Sequence, residues 1–188
     1  SRVVDKTDRD SMIFSDGAGA CIVEATDEKD SGILSHATQT YAKDEAYYLF
    51  FGKSFDVNAN PEERYIKMLG RKIYEFALNN VPQAMKLALD KSGVGIDEVK
   101  KVFIHQANEK MDEAIIKRFY RLFKKQAPKN VMPMNIHKLG NSSVATVPTL
   151  LDLVLNGKIE NQQVNEGDVV IFASVGSGMN INAVVYRF

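Results

Sequence analysis

The apolar residues of this chain change period along its length, and that change narrows the fold more than any other feature. From Gly70 onward Ile73, Phe76, Ala77, Val81, Ala84, Leu87 and Ala88 recur at steps of three and four, the spacing of one face of a helix. Elsewhere the apolar residues fall in short runs rich in β-formers: Gly32 to about Thr40, Val102-Phe103-Ile104, Asp168 to Ser174, and Asn182 to Phe188. Strands that alternate with helices predict an α/β fold built on a mixed or parallel sheet.

The remaining elements follow from local signals. Met12-Ile13-Phe14 and Cys21-Ile22-Val23-Glu24-Ala25 read as strands, separated from the Gly32 strand by a polar turn over 27–31. Residues 41–66 have weak periodicity and many aromatics, which predicts an irregular or partly helical excursion. Pro82 predicts a kink or a fresh first turn inside the Gly70 helix, which Ser92-Gly93 and Gly95 close. A second helix is expected from about Lys110 to Lys125. A third follows Gly140-Asn141-Ser142-Ser143 and ends near Asn156-Gly157.

Composition excludes whole classes of function. The chain has 188 residues, 45% apolar and 26% charged, enough for one compact domain or a short pair. Twenty-four basic residues balance twenty-four acidic ones, so net charge points to neither nucleic acid nor an anionic membrane. Cys21 is the lone cysteine and has no internal disulfide partner, which fits a reducing compartment. No apolar run approaches the roughly 20 residues needed to span a bilayer. The start, Ser1-Arg2-Val3-Val4-Asp5-Lys6, has no signal-peptide core. The expectation is a soluble cytoplasmic protein.

Four short constellations could carry chemistry. His105-Gln106-Ala107-Asn108 sits where a buried strand hands over to a helix, the end of an α/β sheet at which ligands bind. A histidine there either packs the strand end or faces a crevice, and Asn108 serves equally as a helix cap. Gly140-Asn141-Ser142-Ser143 permits an unusual backbone, and either serine can cap the helix that follows. Val175-Gly176-Ser177-Gly178 is a hairpin turn or a backbone oxyanion site. Asp16-Gly17-Ala18-Gly19-Ala20 lacks the Gly-Lys-Ser/Thr of a phosphate-binding loop, and a strand is expected after it, so nucleotide binding is discounted.

Taken in order, these four constellations resemble the C-terminal half of β-ketoacyl-[acyl carrier protein] synthase III, of the thiolase superfamily. The resemblance runs from about Ser11 to Phe188 and includes Met68-Leu69-Gly70-Arg71-Lys72-Ile73-Tyr74-Glu75-Phe76-Ala77. It implies that residues 1–188 form one domain, the C-terminal half of a layered αβαβα condensing-enzyme fold. It further implies that His105 and Asn141 hydrogen-bond the thioester carbonyl of a malonyl-carrier substrate and stabilise the enolate left by decarboxylation. Neutral, preorganised donors suit that task, because the charge they meet develops only in the transition state. By the same resemblance Ser177 lends a backbone N–H to an oxyanion hole, and Gly70, Tyr74, Ala107 and Asn108 line a tunnel for pantetheine and coenzyme A.

Departures from the family matter as much. Its nucleophile is a cysteine in the half that precedes this one. Cys21 is not that residue, and on a strand it is expected to be a buried, inert thiol. Val175, Ser177 and Asn180-Ile181-Asn182 replace a more aromatic and glycine-rich ending.

The helix after His105 adds a partner. At about 100° per residue, Lys110, Lys117, Arg121 and Lys124 gather on one side, opposite Met111, Ile115, Phe119 and Leu122. Between Lys110 and Lys129 seven basic residues face two acidic ones, within a neutral chain. Such a stripe is a solvated face or a docking surface. Nucleic acid fits less well, because no exposed aromatics are interleaved. The resemblance implies docking of an acidic acyl carrier protein, with Lys110, Lys117 and Arg118 at the family's basic positions.

The reading is therefore a condensing half-enzyme that joins an acyl-coenzyme A primer to malonyl-carrier protein in lipid synthesis, inactive alone. It needs no metal or redox cofactor, takes coenzyme A and carrier thioesters as substrates, and is homodimeric when complete with its N-terminal half. The alternatives are a non-catalytic carrier-binding half and an acyltransferase of secondary metabolism.

Overall fold

A computed structural model describes residues 3–188; Ser1 and Arg2, at the head of the stretch read for a signal peptide, lie outside the described residues. Among the described residues, six strands and four α-helices follow in the order β1 (Gly32–Thr40), β2 (Leu49–Gly52), β3 (Tyr65–Met68), α1 (Gly70–Ser92), β4 (Val99–Ile104), α2 (Glu109–Arg121), α3 (Ile136–Leu139), α4 (Thr146–Leu155), β5 (Val169–Gly176) and β6 (Asn180–Arg187). The main sheet has the order β1-β6-β5-β4, with β4 parallel to β5 and the other pairs antiparallel. It is the expected mixed sheet.

Period-two alternation divides the core between the two faces of that sheet. Val102, Ile104, Ile171, Ala173, Ile181, Ala183 and Val185 point to one face, where α1 and α2 bury Val81, Ala84, Met85, Ala88, Ile115 and Phe119. Phe103 and Val170 point to the other, under Leu150 and Val154 of α4. Phe103 and Phe172 stack there with ring centroids 5.4 Å apart.

Helix α1 begins and ends where the sequence places it, with Gly93 at φ +73° closing it in the left-handed conformation. Pro82 lies inside it and is buried. Lacking an N–H, Pro82 leaves the carbonyl of Leu78 without its helical donor. Arg118 of α2 fills that place, donating from Nη1 to Leu78 O at 3.1 Å and to Asn79 Oδ1 at 2.8 Å.

Four expectations about the elements are corrected. Met12-Ile13-Phe14 is not a strand: Met12 and Ile13 end a 3₁₀ turn over Arg9–Ile13, whose hydrogen bonds are local, and Phe14 makes only an isolated bridge to Asn141. Residues 21–25 form no strand: Ile22 is 97% exposed and Val23 77%, and Cys21 is exposed rather than buried. β-propensity reflects packing against neighbouring strands, and nothing among the described residues flanks this segment. Residues 41–66 contain one short 3₁₀ turn and most of the antiparallel β2–β3 hairpin, pinned to the N-terminal segment by the buried Lys67, whose Nζ lies 2.6 Å from Asp5 and 2.9 Å from Asp8. Helix α2 stops at Arg121, so Lys124, at φ +58°, stands beyond the helix whose face it was expected to share.

Candidate active site

His105 follows directly on β4, and its backbone N–H donates to Ala173 O of β5 at 2.9 Å, so its position is set by the sheet. Asn141 is held from the other side. Its N–H donates to Ile13 O at 2.7 Å and its carbonyl accepts from Ser15 N at 2.9 Å. Gly140 makes this clasp possible: it adopts φ +65°, and a side chain there would bring Cβ to 3.0 Å from Ile13 O.

Ser143 joins the two side chains. Its N–H donates to Asn141 Oδ1 at 2.9 Å, which leaves the Nδ2 hydrogens of Asn141 as the free donors of that amide. Its carbonyl oxygen lies 3.2 Å from His105 Nδ1. A carbonyl only accepts, so Nδ1 carries the hydrogen in this contact, and in the neutral ring Nε2 is then bare. Burial lowers the pKa of His105, and the Ser143 bond offsets only part of that, which favours the neutral ring. Ser143 holds φ +56° to make both contacts. Neither Ser142 nor Ser143 caps the helix that follows, contrary to expectation; Ser142 Oγ instead lies 3.3 Å from Thr146 Oγ1.

These groups open into a cleft of about 440 Å³. Its polar lining includes His105, Asn141, Ser174 and Ser177, and its apolar lining includes Phe14, Met68, Ile73, Met111, Phe172 and Val175. An apolar cleft with a few convergent polar groups is the usual form of a small-molecule site. The structure thus brings His105, Asn141, Ala107 and Ser177 to one cleft. Ser177 sits in the tight β5–β6 hairpin, its carbonyl accepting from Asn180 Nδ2 at 2.7 Å. Asn108 is outside the lining and caps α2, its Oδ1 accepting from Met111 N at 3.1 Å. Gly70 and Tyr74 lie on the exposed first turns of α1, beside the lining residues Met68 and Ile73.

Asp16-Gly17-Ala18-Gly19-Ala20 has a packing role. A Cβ on Gly19 would come within 2.3 Å of the Pro148 ring, so this segment lies against the start of α4 only because the glycine is bare. Among the described residues no group of three or more His, Cys, Asp or Glu could hold a metal ion, and no helix is long and apolar enough to cross a membrane.

The basic positions of α2 separate. Lys117 and Arg121 line an open groove with Lys125, over Ile116, Val131 and Met132. Lys110 is exposed in the first turn. Arg118 turns away to α1, and Lys125 pairs with Asp97. Three groups escaped the sequence reading. Asp112 is fully buried on α2 with no side-chain partner among the described residues, and burial pushes its pKa up to about 8. Gln106 is buried beside His105, and Ser143 bridges the catalytic candidates. Only the abrupt placement of an aspartate in an apolar stripe of α2 could have marked the first.

Comparison with known proteins gives these residues a family. The model for the C-terminal part of 3-oxoacyl-[acyl-carrier-protein] synthase III matches residues 89–188, and the model for 3-oxoacyl-[acyl-carrier-protein] synthase III matches residues 1–42. The chain is 32% identical over 189 residues to β-ketoacyl-[acyl-carrier-protein] synthase III of Aquifex aeolicus, covering 100% of this chain and 54% of that protein. It is 29% identical over 194 residues to the Lactobacillus helveticus enzyme, covering 56% of it. The chain therefore spans about half the length of the curated relatives it matches.

Among solved structures, the A. aeolicus 3-oxoacyl-[acyl-carrier-protein] synthase III superposes with a TM-score of 0.68 at 27% identity, covering 87% of this chain and 46% of that one. The priming β-ketosynthase of the R1128 polyketide pathway superposes over 100% of this chain and 54% of its own, with a TM-score of 0.81 at 24% identity, a likeness of fold. The mixed sheet with flanking helices is a thiolase-like half-domain. On these matches the chain belongs to the 3-oxoacyl-[acyl-carrier-protein] synthase III family of condensing enzymes and acyltransferases.

Proposed function

We propose that this chain is the C-terminal half of a cytoplasmic enzyme that condenses an acyl-coenzyme A primer with malonyl-carrier protein, with loss of carbon dioxide. The observation that carries the reading is the Ser143 bridge, which joins His105 and Asn141 in the lining of one largely apolar cleft. In this reading the thioester carbonyl of the malonyl group lies between the two side chains. The bond from the malonyl α-carbon to its carboxylate breaks, carbon dioxide leaves, and the electron pair passes to the thioester oxygen as an enolate.

Asn141 donates to that oxygen from Nδ2, because Ser143 occupies its Oδ1. His105 donates from Nε2 only when the ring hydrogen sits there. In the neutral ring, donation to the substrate and donation to Ser143 O exclude one another, so substrate must displace the Ser143 contact. The backbone N–H of Ser177 is the proposed oxyanion donor for the acyl-transfer step. Gly70, Tyr74, Ala107 and Asn108 are proposed to flank the pantetheine arm, Ala107 from within the cleft and Asn108 as the cap that fixes its edge.

The enolate carbon then attacks the primer's acyl carbon, held as a thioester on a cysteine outside this chain; the new C–C bond forms, the acyl C–S bond breaks, and the cysteine leaves as its thiolate. Cys21 lies on the exposed 16–30 segment and does not line the cleft, which supports placing the nucleophile elsewhere. Lys110, Lys117 and Arg121 form the proposed carrier surface, and the complete enzyme is proposed to be a homodimer.

The test is reconstitution. The chain alone should neither take up labelled acyl groups from acyl-coenzyme A nor condense them. Joined to, or co-expressed with, a cysteine-bearing N-terminal half from the family, it should form the β-ketoacyl product from malonyl-carrier protein. Acyl transfer onto Cys21 in the isolated chain would overturn the reading, as would a reconstituted enzyme that binds carrier protein without turnover.

A further inference from the structure

Gln106 stands between two residues that line the cleft, His105 and Ala107, yet its own side chain is turned inward and only 2% exposed. Both ends of its amide are used. Nε2 donates to Pro133 O at 2.9 Å, and Oε1 accepts from Asn135 N at 2.9 Å. In a parallel ladder a residue donates to the carbonyl before its partner and accepts from the N–H after it. The Gln106 amide makes that pattern about Met134. Upstream, Val102 N donates to Val131 O at 2.8 Å, so the two segments run forward together. The backbone leaves β4 after Ile104 to enter α2, and the glutamine side chain supplies the next rung that the backbone no longer can.

That rung lies between the two catalytic candidates. Gln106 is bonded to His105 through the chain, and Asn135 opens the short helix α3, which leads through Gly140 to Asn141. We infer that Gln106 is a positioning residue whose amide acts as a surrogate peptide group, tying the loop that carries Asn141 to the strand that carries His105. The inference rests on the reading that those two side chains act on one carbonyl. Asparagine is one methylene too short to reach both partners, and methionine matches the length without either bond.

The test uses the isolated chain and needs no turnover, so its failure and the failure of the proposed activity are separate results. In Gln106→Met the Asn135 amide should exchange at least about tenfold faster, while the Val102 amide keeps its protection. The side-chain NMR signals of Asn141 and His105 should shift or broaden in the same variant. In Gln106→Glu the neutral acid has one donor and one acceptor and the carboxylate has no donor. Acidification should therefore return the Asn141 and His105 signals toward those of the parent.

Unchanged protection at Asn135 in Gln106→Met would overturn the inference. So would loss of that protection with the Asn141 and His105 signals unmoved, which would make the bond local. Should Gln106→Met fail to fold, Gln106→Glu decides: signals that revert on acidification support the inference, and signals indifferent to pH overturn it.

Discussion

Arg118 Nη1 donates to the carbonyl oxygen of Leu78, the acceptor that Pro82 leaves open in α1. A residue expected to meet a partner protein thus repairs a helix forty positions away in sequence. Replacing it with Ala should destabilise the chain by about 1–3 kcal/mol, since a buried carbonyl loses its donor. In a Pro82→Ala background the new backbone N–H can take that carbonyl. The cost of Arg118→Ala should then shrink toward that of a surface change, about 0.5 kcal/mol. Urea melts of the four chains measure the coupling, and equal costs in both backgrounds would show that Arg118 does not act through Leu78.

Asp112 should make stability fall as pH rises. Its carboxyl is buried, and burial pushes its pKa up to about 8 from an ordinary 3.8, against a weaker opposing pull from the Asn108 backbone. Between those values the folded chain keeps a proton that the unfolded chain releases. Its stabilising balance is therefore complete below about pH 4 and is lost progressively up to about pH 8. Asp112→Leu should stabilise the chain, and by a few kcal/mol more at pH 8 than at pH 5. Thermal melts at the two pH values measure this; an equal gain at both would mean that the carboxyl ionises freely in the fold.

The proposed carrier surface is narrower than its charge count. With Arg118 bonded to α1 and Lys124 beyond the helix, Lys117 and Arg121 are the exposed cations of α2 that share a groove. Reversing both to Glu should leave the fold intact. In the reconstituted enzyme it should lower kcat/KM for malonyl-carrier protein mainly through slower association, an effect that shrinks at high salt. Use of acyl-coenzyme A should hardly change. A double variant that treats the carrier substrate as the parent does at low salt would make these residues a solvated surface only.

Much of this was legible because burial and period coincide. α1 was found at its observed limits because its apolar spacing matches the face it buries. Cys21 to Ala25 has the same β-forming composition but no neighbour to pack on, and composition cannot register a missing partner. The β2–β3 hairpin was hidden by the long connection over 53–64 and by Phe50 and Phe51, which are exposed rather than alternating in and out.

The site shows the same division. His105 and Asn141 were visible as residue types in a known order. The contacts that aim them come from Ser143 and Gln106, whose roles depend on a left-handed backbone and on a loop nearly thirty residues on. Charge pattern marked Arg118 as basic, and the proline that claims it lies on another helix.

The central claim, that His105 and Asn141 serve decarboxylation, is tested most directly by separating the half-reactions of the reconstituted enzyme. Release of carbon dioxide from malonyl-carrier protein and acyl loading from acyl-coenzyme A are measured for the parent, His105→Ala and Asn141→Ala, each checked for folding by its melt. Each substitution should suppress decarboxylation by about 100-fold or more while primer loading survives far better. Equal loss of both half-reactions in folded variants, or decarboxylation left at the parental rate, would contradict it.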